Sequence, residues 1–329
     1  MRLYSRGFRA RARPRKRVRV FDFDTLLQQI LNGLVLGSVY ALIALGYTMV
    51  YGILQLINFA HGEVLMIGAM VATWLVPRLL AAGVPAPLAL AIVVLAAIPV
   101  CVVLSVAIER VAYRPLRNAP RLAPLITAIG MSIVLQTVAM MIWKPNPIVF
   151  PDLLPTEPVP IFGAILAPKQ ILILVVAAAM MAGLLLLVHR TRLGRAMRAT
   201  AESPRIASLM GVDANRVIAA TFAVGAALAA VAGVLVALNY NIAHFAMGFI
   251  PGLKAFTAAV LGGIGNVTGA MLGGLLLGVI ESLGAGYIGD LTGGFLGSHY
   301  QDIFAFAVLI LVLLFRPSGI MGERVADRA

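Results

Sequence analysis

The residues that could do chemistry in this chain are few, and three of them lie inside an apolar region. Asn58, His61 and Glu63 belong to the segment INFAHGE. An ionisable side chain at membrane depth is costly, so it indicates by default a site that binds a polar ligand or an ion. The alternative is structural: Asn58 and His61 would cap a broken helix, and Glu63 would be an anion in the first helical turn.

A glycine-rich segment is the second candidate. It begins with Gly262, Gly263 and Gly265, and it continues with the repeats Gly269-x3-Gly273 and Gly274-x3-Gly278. Small residues at this spacing let helices pack closely, which is the interpretation that we favour. The alternative is a broken helix with free backbone groups facing an internal cavity.

Enzymatic chemistry finds little support in the sequence. A phosphate-binding P-loop needs a lysine directly after a glycine, and no lysine of this chain stands there. The histidines are scattered without metal-ligand spacing, at His61, His189, His244 and His299. We therefore expect no catalytic residue, no metal, no cofactor and no ATP hydrolysis by this chain itself.

The elements that must position these residues are membrane helices. Hydrophobic residues make up 61% of the chain and charged residues 12%, whereas soluble domains have about 45–50% and about 25%. Because about 20 apolar residues span a bilayer as a helix, we predict an all-α integral membrane protein, a polytopic bundle of about 8–10 transmembrane segments, some discontinuous. The clear spans are 27–47, 64–82, 87–109, 122–143, 170–189, 217–238, 267–285 and 302–315, and the short segments are 48–60 and 252–265.

The net charge of +13 is unevenly distributed, since nine of the 26 cations lie between Arg2 and Arg19. The other basic segments are 110–121, 190–216 and 316–328. Short basic loops prefer the cytoplasmic side. If both short segments cross, the count is ten and every basic segment is cytoplasmic, so we predict ten crossings with both termini in the cytoplasm. The distribution of charge then indicates how the chain is oriented in the membrane. We therefore expect the chain to interact with a lipid bilayer and not with nucleic acid.

This pattern divides the chain into three parts. We expect a disordered basic tail over 1–24, a transmembrane domain over 25–318 and a cytoplasmic tail over 319–329. The proline-rich segment 144–169 should be an extended external loop. Glu109 should pair with Arg110 or Arg114 at the membrane face.

The most informative loop is 190–216. Ser203 is placed to cap a short helix that starts at Pro204 and ends before Gly211. Its apolar residues, among them Ile206 and Leu209, would either lie on the membrane or dock into a groove of another protein.

The spacing Ala199-x2-Glu202-x4-Ala207-x3-Gly211 resembles the EAA loop, the cytoplasmic coupling element of ABC-importer permeases. The segments 28–69, 254–274 and 316–322 are similar to branched-chain amino acid permeases of the H type. The likeness extends over about 26–322.

This resemblance implies an inner-membrane permease that forms the path for Leu, Ile or Val by alternating access. Its implied partners are an M-type permease subunit (a homodimer is the alternative), two cytoplasmic ATPases and a periplasmic or lipid-anchored binding protein. The residues implied for coupling to the ATPase are Arg195, Ala199, Glu202, Ala207 and Gly211. Those proposed for the translocation path are Asn58, His61, Glu63, Gly262, Gly263 and Gly265.

Other functions remain open at this stage. Permeases of the same family could carry urea, short amides or other amino acids. An ion-coupled secondary transporter would need several buried acidic residues, and the sequence offers at most Glu63. A membrane-embedded enzyme would need a ligand cluster that the histidine spacing does not provide.

Overall fold

A computed structural model describes residues 23–117, 119–120, 122–161, 163–292 and 300–322. Of the tail 1–24 that the sequence predicts to be disordered, residues 1–22 lie outside this description, whereas Phe23 and Asp24 already belong to the first helix. The helices long and apolar enough to cross a membrane are α1 Phe23–Leu54, α2 His61–Ala81, α3 Ala86–Ile108, α4 Leu122–Trp143, α5 Pro168–Arg190, α8 Ala214–Tyr240 and α10 Val267–Leu291.

Two shorter apolar helices, α9 Phe249–Gly262 and α11 Gln301–Phe315, complete the bundle in the described part of the chain. A π-helical turn, Glu109–Tyr113, extends α3. Two surface helices, α6 Arg192–Glu202 and α7 Pro204–Leu209, lie between α5 and α8. The predicted all-α polytopic membrane fold is confirmed, with every clear span present as a helix.

The centre of the bundle is formed by α1 and α8, which are the most buried of the long helices. Glycines bring α1 against α10: Gly37 lies beside the backbone of Gly274, and Gly33 lies beside that of Gly278. The expectation that Gly274-x3-Gly278 serves close helix packing is therefore confirmed. Helices α3, α4 and α5 form the periphery and expose aliphatic side chains, as a lipid-facing surface requires.

One end of the bundle, here called the loop end, carries residues 144–167. They form β1 Ile148–Val149, which pairs with β4 Ile242–Ala243, and a hairpin of β2 Val159–Ile161 and β3 Ala164–Leu166. The predicted extended segment is thus confirmed. The side chain of Gln28 donates to Ile165 O at 2.9 Å and accepts from Ile165 N at 2.7 Å, so α1 begins at this end.

The opposite end, here called the coupling end, carries α6, α7 and residues 317–322. Tyr51 and Gln55 at the end of α1 line the same groove as His189 and Ser318. Residues 319–322 pack on the bundle here, since Ile320 N donates to Leu261 O at 2.8 Å, so they are not a free tail.

The predicted ten crossings with both termini on one side are wrong for the described residues. Residues 48–54 continue α1 without a break, since no proline is present and the single glycine, Gly52, does not interrupt the helix, and 48–60 therefore adds no crossing. As a result, the start of α1 and residues 317–322 lie at opposite ends of the bundle.

Two helices begin inside the bundle. After Leu54 the chain runs back through 55–60, and the ring of His61 lies against Gly46, about 12 Å along α1 from its last residue. After α8, residues 241–248 lead inward, so that Gly248 packs on Gly62. The first turns of α2 and α9 therefore lie side by side, and the two helices run to opposite ends.

Candidate functional site

The first polar group inside the bundle surrounds Glu63, which is fully buried in the first turn of α2. Its Oε1 accepts from Ser132 Oγ at 3.0 Å and from Gln136 Nε2 at 2.7 Å, both on α4. Its Oε2 has no hydrogen-bond partner among the described residues and lies beside Gly248, just before α9. The carboxylate thus occupies the position where two helix N-termini meet, and their dipoles stabilise its charge.

His61 and Asn58 sit near this carboxylate but have different neighbours. The ring of His61 meets Tyr47 edge-on, with 5.0 Å between the centroids. A Cβ at Gly46 would overlap His61 Nε2, so a larger residue there would require the imidazole ring to move. Asn58 Oδ1 accepts from Tyr113 OH at 2.7 Å. The alternative in which Asn58 and His61 cap the broken helix is wrong, because α2 begins after Ala60 and Asn58 pairs with Tyr113.

The glycine group lies elsewhere. Gly262 is packed on Gly269, and Gly263, with φ +107°, lies beside Gly322. Gly265, with φ +96°, lines a groove of about 980 Å³ at the coupling end. The structure therefore does not bring the six predicted path residues together: three lie beside the break between α1 and α2, and three follow α9.

Sequence reasoning missed a second charged group, here called the lysine cluster: Tyr40, Lys254, Glu281 and Asp302. Lys254 Nζ is 2.5 Å from Glu281 Oε1 and 2.6 Å from Asp302 Oδ1. Tyr40 OH donates to Glu281 Oε1 at 3.4 Å. Lysine and glutamate within apolar helices are a signal that could have found it, because such residues must pair.

The residues predicted for coupling lie on the surface helices at the coupling end. Arg195, Ala199, Glu202 and Gly211 are exposed, whereas Ala207 is buried. Gly211 has φ +82°, so it ends α7 in the left-handed conformation that glycine adopts without strain.

Helix α7 starts as the sequence predicts. Ser203 Oγ accepts from Ile206 N at 3.3 Å, with Pro204 at the first helical position. Its apolar edge points outward: the exposed fractions of Ile206, Leu209 and Met210 are 62%, 81% and 80%. Such an edge is suited to a partner surface or to lipid.

The basic segment 110–121 also lies at the coupling end, where it forms a salt bridge. Glu109 is buried and pairs with Arg117, so the expected pairing with Arg110 or Arg114 is wrong. Arg117 also donates to Asn215 Oδ1 at 2.6 Å, in the first turn of α8. The reason is the π-helical turn and the single turn after it, which bring Arg117 back towards Glu109.

The chain is similar in sequence to permease components of known transport systems. The family model described as "Branched-chain amino acid transport system / permease component" matches residues 29–313. The permease protein BraD of Pseudomonas aeruginosa, of a high-affinity branched-chain amino acid transport system, is 52% identical over 307 residues, covering 92% of this chain and 97% of BraD. LivH of Escherichia coli strain K12, with the same description, is 47% identical over 312 residues, covering 93% and 99%.

Two further comparisons are more distant. A probable branched-chain amino acid permease of Methanocaldococcus jannaschii, also LivH, is 30% identical over 308 residues, covering 90% of this chain and 92% of that protein. PsaBC from Streptococcus pneumoniae, solved in complex with Fab, matches with a TM-score of 0.43 at 15% identity over 90% of this chain and 91% of that one. The family match over most of the chain shows that this multi-pass membrane protein belongs to the permease components of branched-chain amino acid transport systems.

Proposed function

We propose that this chain is the translocating subunit of an ATP-driven importer for Leu, Ile and Val in the bacterial inner membrane. It pairs with an M-type permease chain, and a second copy of itself is the alternative. Two ATPases bind at the coupling end, and a periplasmic or lipid-anchored binding protein delivers substrate at the loop end. Family membership supports this assignment.

The charge of the loops between the helices supports an orientation with the coupling end in the cytoplasm, whereas the nine cations between Arg2 and Arg19, which precede α1, do not follow this pattern. The basic segments 110–121 and 190–216 both lie there, and Arg117 joins them through Asn215. Short loops rich in Lys and Arg remain on the cytoplasmic side. The first residues of α1 then lie on the periplasmic side, together with 144–167.

The observation that best supports ATP-driven coupling is the exposed apolar edge of α7. Ile206, Leu209 and Met210 project from a short helix, as anchors do when a helix docks into a groove of a partner. The segment is fastened to the bundle: Arg198 donates to Val188 O on α5, and the buried Ala207 holds α7. A push by the ATPases on this edge would therefore move α5.

The broken helices support a substrate path through the same chain. Non-helical backbone at membrane depth is tolerated where protein or water covers it, and in transporters such discontinuous helices form substrate sites. The segments 55–60 and 241–248 meet this description, because each leads to a helix that begins inside the bundle. We assign Asn58, His61 and Glu63 to the wall of this path.

The proposal is tested with the assembled importer in proteoliposomes, with ATP and the ATPase sites on the inside and binding protein outside. We expect uptake of radiolabelled leucine that requires both ATP and binding protein. An importer that carries urea but none of Leu, Ile and Val would refute the proposed function.

Coupling is tested in the same vesicles with the double variant Ile206→Ser/Leu209→Ser. We expect it to insert normally, to lose the ATPases on purification and to lose uptake. Ser208→Ala, an exposed change on the same helix, is the matched control and should behave as wild type. Normal ATPase binding and uptake in the double variant would refute the role of α7.

A further inference from the structure

A pocket of about 420 Å³ lies beside the lysine cluster, between α1, α8, α9 and α11. Its wall includes Tyr240 and Ile242, where α8 meets the loop end, together with the buried Lys254 on α9 and Asp302 in the first turn of α11. Ligand pockets have volumes of about 300–1,000 Å³, so this one suits a small molecule.

The two carboxylates on Lys254 are not equivalent. The side chain of Glu281 is 1% exposed, whereas that of Asp302 is 43% exposed. A buried lysine needs a counter-charge at all times, and Glu281, held by Tyr40, meets this need. Asp302 is the partner that can exchange, because its carboxylate is open to solvent whereas that of Glu281 is enclosed by the bundle.

The remainder of the pocket lining is mixed, with the polar side chains of Asn239, His244 and Gln301 beside an apolar part. Val236, Met247 and Ile250 provide an apolar wall beside the charged pair. A matching ligand carries an anion and a cation close together, joined to an aliphatic chain. An aliphatic α-amino acid in its zwitterionic form has these three features, and urea has neither charge.

We propose that this pocket binds the zwitterion of an aliphatic α-amino acid through Lys254 and Asp302. The ligand carboxylate replaces Asp302 on Lys254, and the freed carboxylate of Asp302 accepts the ligand ammonium group. The aliphatic side chain lies against Val236 and Ile250. This inference rests on the proposed function and adds the residues that recognise the substrate.

A solely structural role for the lysine cluster predicts a different response to mutation. Asp302→Asn leaves the Lys254–Glu281 pair intact, so the bundle should remain folded. In our proposal this change removes the contact of the ammonium group and spares that of the carboxylate. A structural defect would instead lower the affinity of the pocket for all ligands together.

The experiment measures equilibrium binding of radiolabelled leucine to the assembled importer in nanodiscs, without binding protein. Unlabelled 4-methylpentanoate, which lacks the ammonium group, and 3-methylbutylamine, which lacks the carboxylate, serve as competitors. Asp152→Asn, at the same end but outside the pocket, is the matched control. Ile250→Trp, which fills the pocket, is a second variant that leaves the charges in place.

We expect wild type and Asp152→Asn to bind leucine more tightly than either analogue. Asp302→Asn should lower the affinity for leucine by about tenfold or more, since a hydrogen bond to a charged group contributes about 1.5–3 kcal/mol. The same variant should bind 4-methylpentanoate as tightly as wild type or more tightly, because no carboxylate at position 302 then competes for Lys254, and Ile250→Trp should weaken the binding of both ligands.

The proposal is overturned if the Asp302→Asn variant binds leucine as tightly as wild type does. It is also overturned if the variant loses affinity for leucine and for 4-methylpentanoate to the same extent. Unchanged binding to Ile250→Trp, or no saturable leucine binding to wild type, also overturns it. Uptake by the wild-type importer reports separately on the proposed function, because that assay does not depend on these variants.

Discussion

Substituting Gly274 by alanine tests the glycine packing between α1 and α10 directly. A Cβ at Gly274 would lie 2.5 Å from both Cα and N of Ala41. Both atoms belong to the backbone of α1, so no side-chain rotation can relieve the overlap. The helices must separate by about 0.9 Å at this point to reach the 3.4 Å at which ordinary contacts begin.

Two opposing terms set the size of the effect. Overpacking a well-packed core costs about 1–3 kcal/mol, whereas replacing glycine by alanine within a helix gains about 1 kcal/mol. The control is Gly183→Ala on α5, where a Cβ meets nothing within 4 Å in the described structure. This control has the same gain in helix propensity without the steric overlap. The unfolding free energies of the two variants should therefore differ by about 1–3 kcal/mol.

The assay is unfolding of the purified chain in mixed micelles, followed by circular dichroism as the denaturing detergent fraction rises. We expect Gly274→Ala to unfold at a lower fraction than wild type and Gly183→Ala at an equal or higher one. Equal unfolding of the two variants would refute the argument that backbone contact, and not helix propensity, determines the role of Gly274.

Three further perturbations have defined outcomes. Ser132→Ala removes one of the two hydrogen bonds to the buried Glu63 and should lower the unfolding free energy by about 1–3 kcal/mol in the same assay; an unchanged value would argue against that bond. Ser203→Ala removes the N-cap of α7, at a cost of about 1 kcal/mol to that helix, and should reduce ATPase co-purification without changing unfolding of the bundle. Gly211→Asn should support uptake whereas Gly211→Val should not, because φ is +82° there and a β-branched residue is strained in that conformation; equal uptake would contradict this.

Much of the fold could be predicted from hydrophobic length alone. The span expected at 122–143 coincides with α4, and the short segment expected at 252–265 differs from α9 by three residues at each end. The path of 48–60 could not be obtained in this way. Its first residues are as compatible with helix as those before them, and only the contact of His61 with Gly46 shows that the chain turns back.

The candidate site was only partly predictable, because charge pairing between distant segments leaves no local pattern. Lys254 and Glu281 are 27 residues apart, and Asp302 is on a third helix. The sequence does contain one repeat that marks both breaks: Asn58-Phe59-Ala60-His61 and Asn241-Ile242-Ala243-His244. Each follows a long helix and precedes one that begins inside the bundle.

The close fit of α1 to α10 has a consequence for the biogenesis of the protein. Tyr40 and Glu281, which meet across that contact, are 241 residues apart, a stretch that takes roughly 12–50 s to synthesise at about 5–20 residues per second. Helix α1 must therefore enter the bilayer long before its main partner exists. Its hydropathy of 1.8 is lower than the 3.0 of the segment that begins with α3, but it is sufficient for α1 to cross the membrane. During that interval the glycine face of α1 that later packs on α10 must contact something other than α10.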